Sequence, residues 1–137
     1  MTDRKHADVT VRPREPEHLT RDHGLDLRLL QPWPGLDTPF LGAWCVLRPG
    51  DVSEVHSHHE HEIFICMAGR AEVVTGDQRY ELAAGDLAFI RPGVDHSIVN
   101  ERDEDFAYYA IWWDRTTAAE FLDQEAAHDP APAGPAS

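Results

Sequence analysis

The chain has 137 residues, enough for one domain with a real core. Its 12 Lys and Arg stand against 25 Asp and Glu, a net charge of −13. This argues against nucleic acid and anionic membrane surfaces as partners, because both call for a basic footprint.

No apolar run is long enough to span a bilayer, and the N-terminal MTDRKHADVTVRPREPEH is charged throughout, so a cytoplasmic protein is expected. Residues 1–23 are polar and broken by Pro13 and Pro16; they are expected to form a mobile arm. Within the arm, Val9-Thr10-Val11 has the pattern to add an edge strand to a partner subunit. A single domain is expected over 24–125. Residues 25–29 alternate apolar and polar and read as a strand. Pro32-Trp33-Pro34-Gly35 and Asp37-Thr38-Pro39 are breaks. Residues 41–48 form a longer strand, ended by Pro49-Gly50-Asp51. Strand-like residues 62–67 follow, then a tight turn at Ala68-Gly69-Arg70.

Residues 71–75 and 78–82 flank Gly76-Asp77, a connection suited to a hairpin. Residues 87–90 and 96–100 are short strands around a Pro-Gly turn. Residues 106–113, FAYYAIWW, are too apolar for a half-exposed edge and should lie centrally. Thr116 or Thr117 is expected to cap a short helix, with Glu120 closing a capping box on Thr117 and with Phe121 and Leu122 docking on the body. Residues 126–137, AAHDPAPAGPAS, should be disordered. About nine short strands and one late helix predict an all-β barrel or double-sheet jelly roll. Cys45 and Cys66 are distant in sequence and read as buried small hydrophobes.

The chemistry concentrates in residues 50–69, GDVSEVHSHHEHEIFICMAG. Four imidazoles and two carboxylates fall in the seven residues 56–62. Neutral imidazoles and a carboxylate suit a divalent transition metal. His56 and His58, two apart, share a face of an extended strand. Counting from Glu62 at period two places Phe64 and Cys66 on its side, as candidate pocket residues, with Ile63, Ile65 and Met67 turned away. His59 and His61 read as exposed turn residues. Tyr108, Tyr109, Trp112 and Trp113 read as core aromatics rather than substrate contacts. Arg28, Arg48 and Arg91 read as solvated side chains rather than anion anchors.

Two spacings carry a resemblance. Gly50, His56, His58, Glu62 and Gly69 match Gly-x5-His-x-His-x3-Glu-x6-Gly. Gly85, Gly93, His96 and Asn100 match Gly-x5-Pro-x-Gly-x2-His-x3-Asn, with Arg91 where the pattern has its first Pro and Pro92 beside it. The chain therefore resembles the single-domain cupin family of small bacterial metal-binding jelly-roll proteins.

The resemblance implies a cupin-type double-stranded β-helix with a short C-terminal helix. It implies that His56, His58, Glu62 and His96 converge on one divalent metal: iron, zinc, manganese, nickel or copper. Such a donor set leaves the ion about +1 and, if six-coordinate, roughly two open positions. A homodimer and a small-molecule substrate follow from the same likeness. Three functional readings are open: an oxidative, dioxygenase-like enzyme; a zinc-dependent rearrangement or nitrogen–nitrogen bond-forming enzyme of bacterial specialised metabolism; and a ligand-binding or sensing protein without turnover. An enzyme is the expected class, with no catalytic base assigned.

Overall fold

The computed structural model describes residues 8–128; residues 1–7 and 129–137, which hold the start of the expected arm and most of the expected tail, lie outside them. After a 3-10 turn at Pro16–His18, the described residues form nine strands and one α-helix in order: β1 (Thr20–Asp22), β2 (Leu25–Leu29), β3 (Leu41–Leu47), β4 (His61–Ala68), β5 (Arg70–Thr75), β6 (Gln78–Ala83), β7 (Leu87–Ile90), β8 (Ser97–Val99), β9 (Phe106–Trp113) and α1 (Arg115–His128). They build a six-stranded sheet, β1-β2-β3-β9-β4-β7, facing a three-stranded sheet, β6-β5-β8. This is the expected jelly-roll class, with its two sheets kept as separate ladders. No helix among the described residues is long and apolar enough to cross a membrane.

The core lies between the sheets and follows from side-chain alternation. Ala43, Cys45 and Leu47 of β3 stand opposite Ala110, Tyr108 and Phe106 of β9. On the other side of β9, Phe64 and Cys66 of β4 stand opposite Ala110 and Tyr108. The small Ala110 makes room for Phe64. Ala71, Val73, Leu82 and Ile98 close the core from the second sheet. β9 is hydrogen-bonded on both edges, which accounts for its unbroken apolar sequence.

Residues 50–56 form no regular strand, yet they lie antiparallel to residues 96–100. The Gly50 N–H donates to the Asn100 carbonyl (2.8 Å), Ser53 N–H to Ile98 (2.9 Å) and His56 N–H to His96 (3.1 Å). The buried Ser53 Oγ accepts the Ile98 N–H at 2.8 Å. Asn100, fully buried, donates through Nδ2 to the Leu47 and Glu104 carbonyls and accepts the Arg102 N–H. The buried amide thus ties the end of β3 to the loop that enters β9.

Several expectations change at the periphery. The ordered body begins before residue 24, because Thr20–Asp22 pairs with β2. Residues 9–11 form no strand, and Val9 and Val11 are exposed. α1 runs to His128, beyond the expected domain end at 125. Its cap is Asp114, not a threonine: Asp114 Oδ1 accepts the N–H groups of Thr116 (2.8 Å) and Thr117 (3.1 Å). Phe121 is half-buried, whereas Leu122 is exposed.

Gly69, between β4 and β5, has φ 80°, and a Cβ there would overlap the Asp105 carbonyl. Gly76 has φ 61° with open space around it. Gly69→Ala should therefore lower the unfolding free energy by about 2 kcal/mol or more, and Gly76→Ala by about 1 kcal/mol. Urea denaturation of both variants measures the gap; equal losses would show that the Asp105 contact does not matter.

Candidate metal centre

Three elements deliver the site. His56 ends the irregular 50–56 strip, where His56 and His96 exchange both backbone hydrogen bonds, at 3.1 and 3.0 Å. His58 lies in the following loop, and its carbonyl accepts the Gly93 N–H at 2.9 Å. Glu62 is buried on β4, opposite Trp112 on one side and Ile90 on the other. His96 follows the turn at residues 91–94. Pro92 and Gly93, with φ 80° at the glycine, occupy the middle of that turn, so Arg91 in place of proline leaves it intact.

In each histidine the Nδ1 atom faces a backbone carbonyl: His56 that of Glu54 (3.0 Å), His58 that of Glu60 (3.1 Å) and His96 that of Val94 (2.9 Å). A carbonyl can only accept, so Nδ1 carries the hydrogen and Nε2 presents a lone pair. One ligand atom from each of His56, His58, Glu62 and His96 fits within 4.8 Å of the others. Glu62 Oε1 lies 3.2 Å from His58 Nε2 and 3.3 Å from His96 Nε2. His96 is 2 % exposed, and despite its nearness to Glu62 its Nε2 has no partner in hydrogen-bond geometry.

Lone pairs and a carboxylate oxygen thus face one another at a site where Glu62 and His96 are buried and His56 is exposed. A proton or a metal ion among them would satisfy these acceptors. Burial works against charge on the His96 ring, but the Glu62 carboxylate and Val94 carbonyl outweigh it and raise its pKa above the ordinary 6.5. The donor set and the unpartnered Nε2 both fit a divalent transition metal.

The cluster opens into two adjoining cavities. An inner chamber of about 110 Å³ is lined by His56, Glu62, His96 and a largely apolar wall that includes Leu25, Phe64 and Ile98. A mouth of about 330 Å³ adds Asp22, Leu29, His58 and Glu60. His23, Leu27, His56, Glu62 and Trp112 line both.

Phe64 thus lies where parity with Glu62 put it. Cys66 shares that face but is buried in the core and does not line either cavity; burial pushes its thiol up to about 11. Cys45 lines the chamber instead, and burial lifts its thiol to about 12. The aromatics divide by parity. Tyr108 and Trp112 line the chamber, whereas Tyr109 is exposed on the outer face.

His59 is exposed as expected and pairs with Asp114 at 3.0 Å. His61 departs from expectation: it is the first residue of β4, on the face opposite Glu62, stacked between the Phe89 and Trp113 rings. None of Arg28, Arg48 and Arg91 lines either cavity. His23 escaped the sequence reading. It sits at φ 54° in the β1–β2 turn, its ring centroid 6.5 Å from that of His56. The only sequence signal was its place before Gly24.

A family signature described as "Cupin domain" matches residues 43–112. A cupin 2 conserved barrel domain protein from Salinispora arenicola is 42% identical, over 86% of this chain and 99% of its own, with a TM-score of 0.79. A protein from Photorhabdus luminescens is 38% identical, over 85% and 97%, with a TM-score of 0.78. A predicted oxalate decarboxylase from Thermotoga maritima is 25% identical, over 65% and 79%, with a TM-score of 0.58. None of the curated proteins searched matches the chain.

Removing a ligand should weaken metal binding by more than the roughly 10–100-fold typical of losing an outer partner. His58→Ala and His96→Ala, titrated against a chromogenic chelator, test this, with a cooperative thermal transition as the check on folding. Unchanged metal affinity in either variant would remove that residue from the ligand set. In the wild type, protons compete with the metal, so affinity should fall as pH drops through the raised His96 pKa. The same titration repeated across that pKa reads the slope.

Proposed function

Because this chain belongs to the cupin family, we propose that it is a metal-dependent enzyme acting on a small molecule at a mononuclear site held by His56, His58, Glu62 and His96. One observation carries the reading: three imidazole Nε2 atoms preset by backbone carbonyls, with one carboxylate, border a cavity rather than a sealed core. A closed structural site would leave no room for substrate. The likeness to a predicted oxalate decarboxylase supports the same class.

A bound divalent ion supplies Lewis-acid polarisation or, if it is redox-active, electron transfer to dioxygen. The chain's own residues do the rest. Phe64, Leu25, Leu27 and Ile98 give the inner chamber a largely apolar wall for the non-reacting part of a substrate. Trp112, spanning chamber and mouth, offers a flat surface on which substrate can be oriented. Glu60 lines the mouth without belonging to the ligand cluster, which makes it our candidate proton acceptor. The oxidative and the zinc-dependent readings share this geometry.

We also propose that two copies pair through the outer face of β9, β4 and β7. Tyr109, Ile111, Ile63, Ile65, Leu87 and Phe89 stand there, and no Asp, Glu, Lys or Arg does along these strands. Leu87 is 71 % and Phe89 54 % exposed. At strand spacings of about 4.8 Å and a rise of about 3.3 Å per residue, the patch covers roughly 300 Å², at the lower end of the patch sizes that are often functional. A carboxylate-free face also lets two chains of charge −13 meet without like charges opposed.

Elemental analysis with anaerobic reconstitution tests the enzyme reading. About one metal per chain together with turnover of a screened substrate is expected. Iron, manganese, nickel or copper would direct the screen to dioxygen uptake, zinc to rearrangement chemistry; stoichiometric metal with ligand binding but no turnover would leave a binding protein. For assembly, light scattering should give twice the chain mass for the wild type and one chain mass for a folded Leu87→Glu/Phe89→Glu variant. A monomeric wild type would refute the pairing.

A further inference from the structure

We infer that the cavity over the metal centre takes a neutral or cationic, largely apolar small molecule and turns away substrates with a free anionic arm. The inference rests on the metal-centre reading and adds the substrate class. Among the described residues, no Lys or Arg lines either the chamber or the mouth. The arginines elsewhere on the same sheet are committed or turned away. Arg21 holds both oxygens of Asp51 at 2.7 Å, and Arg48 Nε donates to Asp26 at 2.6 Å. Arg28 alternates with Leu27 and Leu29, which line the mouth, and so stands on the other face of β2.

The charges that do face the space are carboxylates. Glu62 is spent on the centre, where the unpartnered His96 Nε2 also points. Asp22 and Glu60 rim the mouth. A divalent ion with Glu62 carries about +1, so one anionic donor is welcome at the centre itself. A second anionic group at the far end of the ligand would meet Asp22 and Glu60, with no Lys or Arg to pair it and with the His23 ring already beside the Asp22 and Glu54 carboxylates at 3.5 and 3.4 Å. A phosphorylated or dicarboxylate substrate therefore finds no lysine or arginine to receive its second charge. An ammonium group there meets two carboxylates and the Trp112 ring, whose face attracts cations. The two cavities together lie at the small end of ligand-site volumes, and apart from the ligands, Asp22, Glu60, His23, Ser53 and Tyr108 their walls are largely apolar.

A matched series of hydroxamates isolates the effect. All share one chelating head, with short tails ending in ammonium, methyl or carboxylate. Binding to the cobalt(II)-loaded full chain is followed by the visible spectrum of the ion. The ammonium tail should bind at least as well as methyl, and the carboxylate tail about tenfold more weakly than methyl, as expected for a like charge a few ångströms away in a partly wet mouth. The Asp22→Asn/Glu60→Gln variant should close that gap while the methyl compound still binds. A carboxylate tail that binds as well as or better than methyl overturns the inference and leaves the metal centre standing. A chain that takes up no cobalt overturns the metal-centre reading, and this inference with it.

Discussion

Three hydrogen bonds from imidazole Nδ1 to backbone carbonyls set the character of this protein. Each reaches a carbonyl two residues away along the chain, at Glu54, Glu60 and Val94. Extended backbone offers a carbonyl at that offset, whereas a helix would have used it in its own ladder. The bond settles which nitrogen bears the hydrogen and so turns three lone pairs toward one point. A neutral ring that rotated or changed tautomer would lose its backbone partner. The orientation is therefore built into the main chain rather than left to side-chain packing.

The two sheets serve that arrangement differently. The six-stranded sheet is rigid, paired through β9 on both sides, and provides Glu62, Phe64, Tyr108 and Trp112 from neighbouring inner rows. The smaller sheet, extended by the 50–56 strip, provides His56 and His96 as a directly bonded backbone pair. The carboxylate and two of the three imidazoles thus come from opposite walls, with His58 on the loop between them, which is why the site lies within the barrel and not on a face. Apolar side chains from both walls keep the local dielectric low, and this strengthens each polar contact made there.

Much of this was legible because the ligand spacing and the strand parity are local. His56, His58 and Glu62 lie within seven residues, and period two from Glu62 carried Phe64 to the chamber. The same parity would have set His61 on the opposite face, but treating it as part of a turn hid its stack between Phe89 and Trp113. Which aromatics of β9 face inward depended on its register with β3 and β4, a non-local quantity; only then did Tyr108 and Trp112 part from Tyr109. His23 was illegible for a similar reason. It reaches the cavity from a turn more than 30 residues upstream, close to the Glu54 carboxylate at 3.4 Å. At the helix, several residues could have capped, and the end of β9 at Trp113 gave the role to Asp114.

The bond from the Gly93 N–H to the His58 carbonyl and the paired backbones of His56 and His96 join the two motif loops directly. The 50–56 strip borders β8 at the edge of the smaller sheet, bonded to residues 96–100 without forming a regular strand. Such an edge is where local opening is easiest and amide protons exchange soonest. An ion held by His56 and His96 together with Glu62 can bind only the closed form, so it deepens the closed state by an amount set by its concentration over its dissociation constant. In that sense a bound metal would act as a latch on this irregular strip, and slow exchange along 50–56 would be a signature of the loaded protein.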